Sequence, residues 1–447
     1  MSRPRSINRR QFLKHTATAG AGLALSPVLL RAWAAGSDKR PNVVFVFSDQ
    51  HQYAALGCYG QSQVKTPNFD ALARAGARCC GISTSPLCVP YRASLVSGEY
   101  ASHTGIYVNM SRKRRVAPYS RRKHQSIGTA FKQAGYSTAY VGKHHLPLSP
   151  AALGFDYWAL TRAHHWYGGW DIATSEKTRH SGKGFKTQGV TDAAIEWLRR
   201  QKTKPFCLLM SWGPPHSPFK APEPYSHYKN LKTAPNVPRN KYATDREGYY
   251  GLIEGIDHHF GRLMQELDRL GVAENTIVVY TSDHGEMMGA HGALKKRQPY
   301  RESSQVPLIV RWPGHIKAGA TLEAPIGTPD LFPTLVSLAG LKAPPGLDGT
   351  DRSGWLLGKA KPTGDEALFM VLNDYRSPTP GPWRGVRTAR YNFARTEAGP
   401  FLLTDVTADP WEMNNLVKKK PELVKKYDAM TLAMIKKYDD RWPAKKQ

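Results

Sequence analysis

The stretch Thr276–Glu286 reads TIVVYTSDHGE. β-Branched and aromatic residues fill its first half, and Ser282, Asp283, His284 and Glu286 follow with only Gly285 between them. A run without polar alternation suits a strand buried on both faces, as in a parallel sheet. Titratable residues directly after such a run belong on the loop that leaves the strand's carboxyl end.

The same pattern recurs along the chain. Asn42–Ser48 (NVVFVFS) is followed by Asp49-Gln50-His51, and Thr138–Val141 (TAYV) by Gly142-Lys143-His144-His145. Phe206–Ser211 (FCLLMS) is followed by Trp212-Gly213-Pro214-Pro215-His216, and Val306–Val310 (VPLIV) is a further apolar run. Helical patterns separate them at Asn68–Ala75, Ser126–Gln133, Thr191–Arg200, Gly248–Leu270 and Pro329–Leu338. Alternating strands and helices predict an α/β fold, a large mostly parallel sheet with helices on both faces. After about residue 365 the pattern changes to short extended pieces around Trp383–Phe393 and Phe401–Val406, and a Lys-rich amphipathic helix starts at Pro421. The expected organisation is a leader over 1–34, a large α/β domain over 35–365 and a smaller α+β subdomain over 366–447.

In open α/β sheets ligands bind beyond the carboxyl ends of the strands. Four strand ends here deliver two carboxylates (Asp49, Asp283), an amide (Gln50), a lysine (Lys143) and several histidines to one edge. Carboxylates with an amide oxygen suit a hard divalent cation, Ca2+ first and Mn2+ or Mg2+ next. His284 draws the set toward Mn2+ or Zn2+.

A second constellation lies in Pro86–Gly98, PLCVPYRASLVSG. Pro90 favours a helix's first turn, where its missing N–H costs nothing. The helix therefore opens at or just after Cys88, with free N–H groups facing the loop, which is an anion site. Arg92, Lys143 and Lys296 can add fixed positive charge. A tetrahedral oxyanion held between metal, helix terminus and cations is the natural ligand.

With these residues in place the chain resembles the formylglycine-dependent sulfatases, which have the alkaline phosphatase-like fold. Cys88-Val89-Pro90-Tyr91-Arg92 is similar to the family's C-x-P-x-R signature. The resemblance extends over nearly the whole chain after the leader. It includes Ser48-Asp49-Gln50, Gly57-Cys58-Tyr59-Gly60, Thr66-Pro67-Asn68-Phe69-Asp70, Gly135-Tyr136-Ser137-Thr138, Pro215-His216-Ser217-Pro218, Ser282-Asp283-His284-Gly285-Glu286, Val306-Pro307-Leu308 and Trp312-Pro313-Gly314. It implies that Cys88 is oxidised to formylglycine by a maturation enzyme and that the hydrate is the nucleophile. It further implies that Asp49, Gln50, Asp283 and His284 hold one divalent metal together with the oxidised Cys88. Arg92 would steady the nucleophile, and Lys143 and Lys296 would bind sulfate oxygens, with Lys295 the near rival of Lys296. His216 would protonate the leaving alcohol, and His145 would assist elimination of sulfate.

Two departures stand out. Tyr91 occupies a position where the family carries Ser, Thr or Ala. Gln50 stands where many members have a second aspartate. The Asp-Gln and Asp-His pairing resembles choline sulfatases and phosphonate monoester hydrolases, so phosphonate monoester or phosphodiester hydrolysis is the alternative to sulfate ester hydrolysis.

The bulk composition bounds the setting. The 447 residues carry a formal charge of +28, and 40% are hydrophobic. Residues 1–34 hold six Lys and Arg and no acid, which leaves 28 less 6, or +22, for the rest. Arg9-Arg10 before Phe12-Leu13-Lys14, a weakly apolar run and Ala32-Trp33-Ala34 resemble a twin-arginine export signal, so the expected location is periplasmic or secreted. No later segment has the length and apolarity of a membrane span. Five cysteines (Cys58, Cys79, Cys80, Cys88, Cys207) make neither a disulfide framework nor a zinc spacing. The positive charge favours an anionic partner, and with export that is a sulfated polysaccharide rather than a nucleic acid. Thr161–Gly184 is rich in Trp, Tyr, His and Lys. Trp166 and Trp170 there, with Arg384, are the expected carbohydrate-binding rim.

Overall fold

Every residue of β1 (Asn42–Asp49) is buried, and its side chains divide between two cores. Val44 and Val46 point to one side of the sheet, and Val43, Phe45 and Phe47 to the other. That is the two-residue period of a strand with both faces covered. Each such side chain contributes about 1.5–3 kcal/mol by leaving water. The computed structural model describes residues 40–110, 125–162, 167–238, 242–364, 366–374 and 381–442. The expected leader, 1–34, and Trp166 lie outside the described residues.

After β1 come helix α1 (Pro67–Ala75), strand β2 (Ala77–Ile82), and helices α2 (Cys88–Ser97) and α3 (Ile127–Gln133). Strands β3 (Ser137–Gly142), β4 (Tyr157–Thr161), β5 (Gly169–Thr174) and β6 (Arg179–Lys183) follow, then helix α4 (Lys186–Arg199), strand β7 (Phe206–Pro215) and helix α5 (Ala243–Arg269). Strands β8 (Thr276–Ser282), β9 (Gln305–Arg311) and β10 (Ala320–Gly327) and helix α6 (Leu331–Leu338) complete the large layer structure.

The ten strands lie in the order β10-β2-β9-β8-β1-β7-β3-β4-β5-β6. β8, β1, β7, β3 and β4 form a continuous parallel block. β9 runs antiparallel between β8 and β2, and β5 antiparallel between β4 and β6. The sheet is therefore mixed but mostly parallel, as the sequence predicts. Side chains of α1, α4 and α5, such as Phe69, Trp197 and Phe260, pack on the Val44 face. Those of α2, α3 and α6, such as Leu95, Phe131 and Phe332, pack on the Phe45 face.

Local chemistry sets the helix starts. α3 opens on a capping box in which Ser126 and Thr129 satisfy each other's backbone N–H. α1 carries Pro67 at its first turn, and the Asp257 carboxylate of α5 accepts from the N–H groups of Asn68 and Phe69. α4 begins at Lys186, five residues before the expected Thr191, because its first turn is buried rather than patterned.

A second sheet, antiparallel, contains β11 (Leu368–Leu372), β12 (Trp383–Arg387), β13 (Tyr391–Thr396) and β14 (Gly399–Asp405) in sequence order. Helix α7 (Pro421–Lys437) covers it, with Tyr427 packed among Val386, Phe393 and Leu403. All described residues fall within one compact unit, 40–447. None of its described helices is long and apolar enough to cross a membrane.

Candidate active site

Register brings the site together. Ser48 of β1 pairs with Ser282 of β8, so Asp49 and Asp283 leave the sheet side by side. The Asp283 N–H donates to the Ser48 carbonyl at 3.1 Å, which holds that level. On the other flank Gly142 of β3 pairs with Ser211 of β7, and the Lys143 N–H donates to the Ser211 carbonyl. Gly142 has φ of 104°, and a Cβ there would lie 2.0 Å from the Ser211 carbonyl oxygen. Only glycine fits this turn, and the turn aims Lys143 at the site.

Cys88 is the first residue of α2, and Arg92 lies one turn later on the same side. The Cys88 Sγ is 3.2 Å from His284 Nε2 and 3.8 Å from Asp49 Oδ1. His284 Nε2 is 3.7 Å from Asp49 Oδ1 and 3.5 Å from Asp283 Oδ1. One donor atom from each of Asp49, Cys88, Asp283 and His284 lies within 4.8 Å of the others, and all four residues are buried.

Cations surround this quartet. Arg92 Nη2 donates to Asp283 Oδ2 at 2.9 Å and Asp49 Oδ2 at 3.1 Å, and Nη1 to the Lys143 carbonyl at 2.7 Å and Ser211 Oγ at 2.9 Å. Its guanidinium lies 4.9 Å from the centre of the Phe47 ring. Lys143 Nζ donates to Asp49 Oδ2. Lys296 Nζ donates to the Gln50 amide oxygen and lies 3.0 Å from His216 Nε2. The other ring nitrogen of His216, Nδ1, donates to the Ser217 carbonyl at 2.8 Å, which leaves Nε2 as the acceptor from Lys296.

The charges set one another's ionisation. Burial opposes ionisation of Asp49, but the charges around it, Lys143 first and then Arg92, outweigh it and hold the carboxyl well below its usual range. Burial and the Asp49 charge push Asp283 up to about 6. Burial and Asp49 also oppose ionisation of the Cys88 thiol, yet Lys296, Lys143 and His284 hold it well below the ordinary thiol range. Burial and the Lys296 ammonium push His216 down, so its ring is neutral here.

The structure thus gathers Asp49, Gln50, Cys88, Arg92, Lys143, His216, Asp283, His284 and Lys296 into one contact network. His145 sits two residues past Lys143 on the same loop, half-buried, with φ of 54°. Lys295, the near rival of Lys296, donates its N–H to Glu286 and has φ of 66°. Trp170 is half-buried in β5, its indole against Gly182 and Gly189, where added Cβ atoms would approach ring atoms to 2.2 Å and 2.4 Å. Packing fixes that ring. Arg384 corrects the sequence reading: it is fully buried in β12, ion-paired with Asp440, and donates to the Leu372 and Arg441 carbonyls. It ties the chain's C-terminal segment to the second sheet and offers no rim.

Sequence reasoning gave no role to several residues that shape the site. The buried Glu286 carboxylate accepts from the Gln50 amide N–H and from the N–H groups of Met288 and Lys295, which fixes how Gln50 points. Its signal was present in the same strand-end motif as Asp283. Ser211 and Tyr140 bracket Arg92 and the Lys143 carbonyl, but as strand residues they carry no distinguishing pattern. Tyr91 is none of the donors of the buried quartet. Its ring is buried against Phe47 in the core beneath α2, with centroids 6.4 Å apart, so bulk at this position is core packing.

Residues 41–341 match the family described as Sulfatase, and residues 289–438 match the C-terminal region of N-sulphoglucosamine sulphohydrolase. An ulvan-active sulfatase of Formosa agariphila is 36% identical over 405 residues, covering 85% of this chain and 78% of that protein. An N-acetylglucosamine-6-O-sulfatase of Bacteroides thetaiotaomicron is 28% identical over 508 residues, covering 92% of this chain and 88% of that protein. Among solved structures, the protein yidJ of Bacteroides fragilis superposes with a TM-score of 0.78 at 27% identity, covering 90% of this chain and 97% of that one.

Proposed function

This chain belongs to the sulfatase family and is a sulfuric ester hydrolase, and we propose that it acts on a sulfated carbohydrate through formylglycine formed at Cys88. The observation that carries the reading is the placement of Cys88. Its Sγ sits at the start of α2, inside the buried Asp49–Asp283–His284 cluster, with Arg92, Lys143 and Lys296 arrayed around that cluster.

The donor set fits a hard divalent cation. Two carboxylates and an imidazole nitrogen are buried within 4.8 Å of the position 88 side chain, and burying such carboxylates needs strong compensation. Asp49, Asp283 and His284 would hold the ion with the modified residue 88. Gln50 would join them through its amide oxygen, which Lys296 and Glu286 orient. Ca2+ suits the oxygen-rich set best. When bound, the cation supplies Lewis-acid charge at neutral pH, and formylglycine supplies the attacking hydroxyl.

The chain's own residues supply the rest. Arg92 locks both carboxylates in place, and Lys143 and Lys296 offset negative charge on the sulfate oxygens. The N–H groups that open α2 add to that field. His216 and Lys296 share a proton across 3.0 Å, and the pair delivers it to the departing alcohol oxygen, which otherwise leaves as an alkoxide. His145 assists release of the sulfate from residue 88.

Residues 1–34 serve as a twin-arginine export signal, and a maturation enzyme acts on Cys88 before export. The carbohydrate assignment is supported by the named substrates of the two relatives and by the +22 charge of the chain after the leader. Gln50 in place of a second aspartate supports a phosphodiester or phosphonate monoester as the second reading. The test is turnover by protein co-expressed with a maturation enzyme, on a panel of sulfated oligosaccharides beside a matched phosphodiester. Sulfate release from at least one glycan is expected. A large preference for the diester, with no glycan desulfated, would overturn the assignment.

A further inference from the structure

Lys296 stands between two residues with left-handed backbone, Lys295 at φ of 66° and Arg297 at φ of 80°. A residue that carries a Cβ is strained there, and the strain persists only where the surroundings over-determine the conformation. Each of the two has its own support. The Lys295 N–H donates to Glu286 Oε1 at 2.6 Å, and the Lys295 carbonyl accepts from the Met287 N–H at 2.6 Å. Those partners belong to the loop that leaves β8 and carries the metal-site residues.

The support on the other side comes from the second sheet. Trp383, the first residue of β12, donates its indole Nε1–H to the Arg297 carbonyl at 3.0 Å. Arg297 Nε donates to Asp374 Oδ2 at 2.7 Å, and Asp374 lies just past the end of β11 at Leu372. Leu372 pairs with Trp383 in the sheet, so both grips leave it at one level. The Trp383 ring is fully buried, in a core that also holds Leu87, Met370 and Leu402, and Asp374 is 4% exposed. Close packing makes such a support stiff. One residue before Arg297, the Lys296 ammonium meets the Gln50 amide oxygen and His216 Nε2.

We propose that Trp383 and Asp374 are positioning residues for Lys296. By fixing the backbone at Arg297, the second sheet sets where the Lys296 ammonium meets the transferred sulfate and His216. Trp383 acts through the loop alone, because a ring with no exposed surface cannot touch a substrate. The inference rests on the reading of Lys296 given above. It gives the second sheet a part in the reaction beyond covering the first. A displacement of about 1 Å in a positioning group costs about 100-fold in rate, so the loss of one grip is expected to be felt in turnover rather than in folding.

The test is a mutant cycle on matured enzyme, with 4-nitrophenyl sulfate and the oligosaccharide desulfated in the panel above as substrates. Trp383→Phe keeps a buried ring and removes the donor, and Asp374→Asn removes the charge that holds Arg297. With formylglycine content matched, kcat/KM should fall by at least about tenfold in Trp383→Phe and in the same direction in Asp374→Asn. In a Lys296→Met background each substitution should change kcat/KM by less than about twofold, since no ammonium is left to place. A merely structural role would lower both backgrounds by the same factor, and that result would overturn the proposal. So would wild-type kcat/KM in both single variants. Should Trp383→Phe fail to fold, the Asp374→Asn cycle decides by the same criteria. Wild-type activity in Lys296→Met would overturn the role of Lys296 itself, and the proposal with it.

Discussion

Replacing Arg92 by methionine keeps much of the side-chain volume and removes the charge that Asp49 and Asp283 share. In the structure three guanidinium nitrogens reach both carboxylates, the Lys143 carbonyl and Ser211 Oγ, all at 2.7–3.2 Å, and the residue is 1% exposed. Breaking a buried ion pair by removing one partner costs about 3–5 kcal/mol, because the remaining charge is left uncompensated. With an unfolding entropy of about 2.1 cal/mol/K per residue, the roughly 400 residues of the compact unit 40–447 give about 0.85 kcal/mol/K, so Tm should drop by about 4–6 °C. Arg92→Lys should fall in between, since an ammonium keeps the charge but cannot reach four acceptors as a planar fork. Thermal unfolding of the unmatured protein in the presence of a chelator isolates this contribution from that of a metal. An Arg92→Met variant within about 1 °C of wild type would refute the claim that Arg92 holds the paired carboxylates.

Gly142→Ala should be more damaging than its size suggests: φ is 104° and the new Cβ would meet the Ser211 carbonyl at 2.0 Å, so Lys143 must move. A loss of about 100-fold in kcat/KM is expected from a shift of about 1 Å, and near wild-type activity would contradict the aimed turn. His259 is buried against Phe185 with Arg262 beside it, which pushes it down to about 3. Its unfolded form takes a proton near pH 6.5 and its folded form does not, so stability is lost as pH falls from 6.5 toward 3. At pH 5 that loss is about 2 kcal/mol, and urea unfolding of His259→Gln should show a correspondingly smaller drop between pH 7 and pH 5. Metal analysis of the matured enzyme should find one divalent ion per chain, lost in Asp283→Ala; full occupancy in that variant would exclude Asp283 as a ligand.

The central fold was legible because its strands are buried on both faces and therefore read as unbroken apolar runs. All five expected strands occur, within a few residues of the expected bounds. β6 (RHSGK) is almost wholly exposed and carries no apolar pattern at all. β10 (ATLEAPIG) alternates over its first half and holds a proline, so it reads as a loop. β2 interrupts its apolar run with Arg78 and Gly81. The reversed direction of β9 could not be read from its residues, since a buried antiparallel strand between two sheet neighbours has the same composition as a parallel one. The site was legible because Asp49, Lys143 and Asp283 sit at strand ends and because Cys88 and Arg92 share a helix face. Arg384 was misread because an arginine beside a tryptophan suggests a rim, and nothing local reveals that Asp440 lies across from it.

The most direct measurement is the chemical state of residue 88 in active enzyme. Peptide mass spectrometry of protein co-expressed with a maturation enzyme should find formylglycine at Cys88, in proportion to the specific activity across preparations. Cys88→Ala should be inactive while retaining the wild-type fold by circular dichroism. A fully active preparation in which residue 88 is still a thiol would contradict the account.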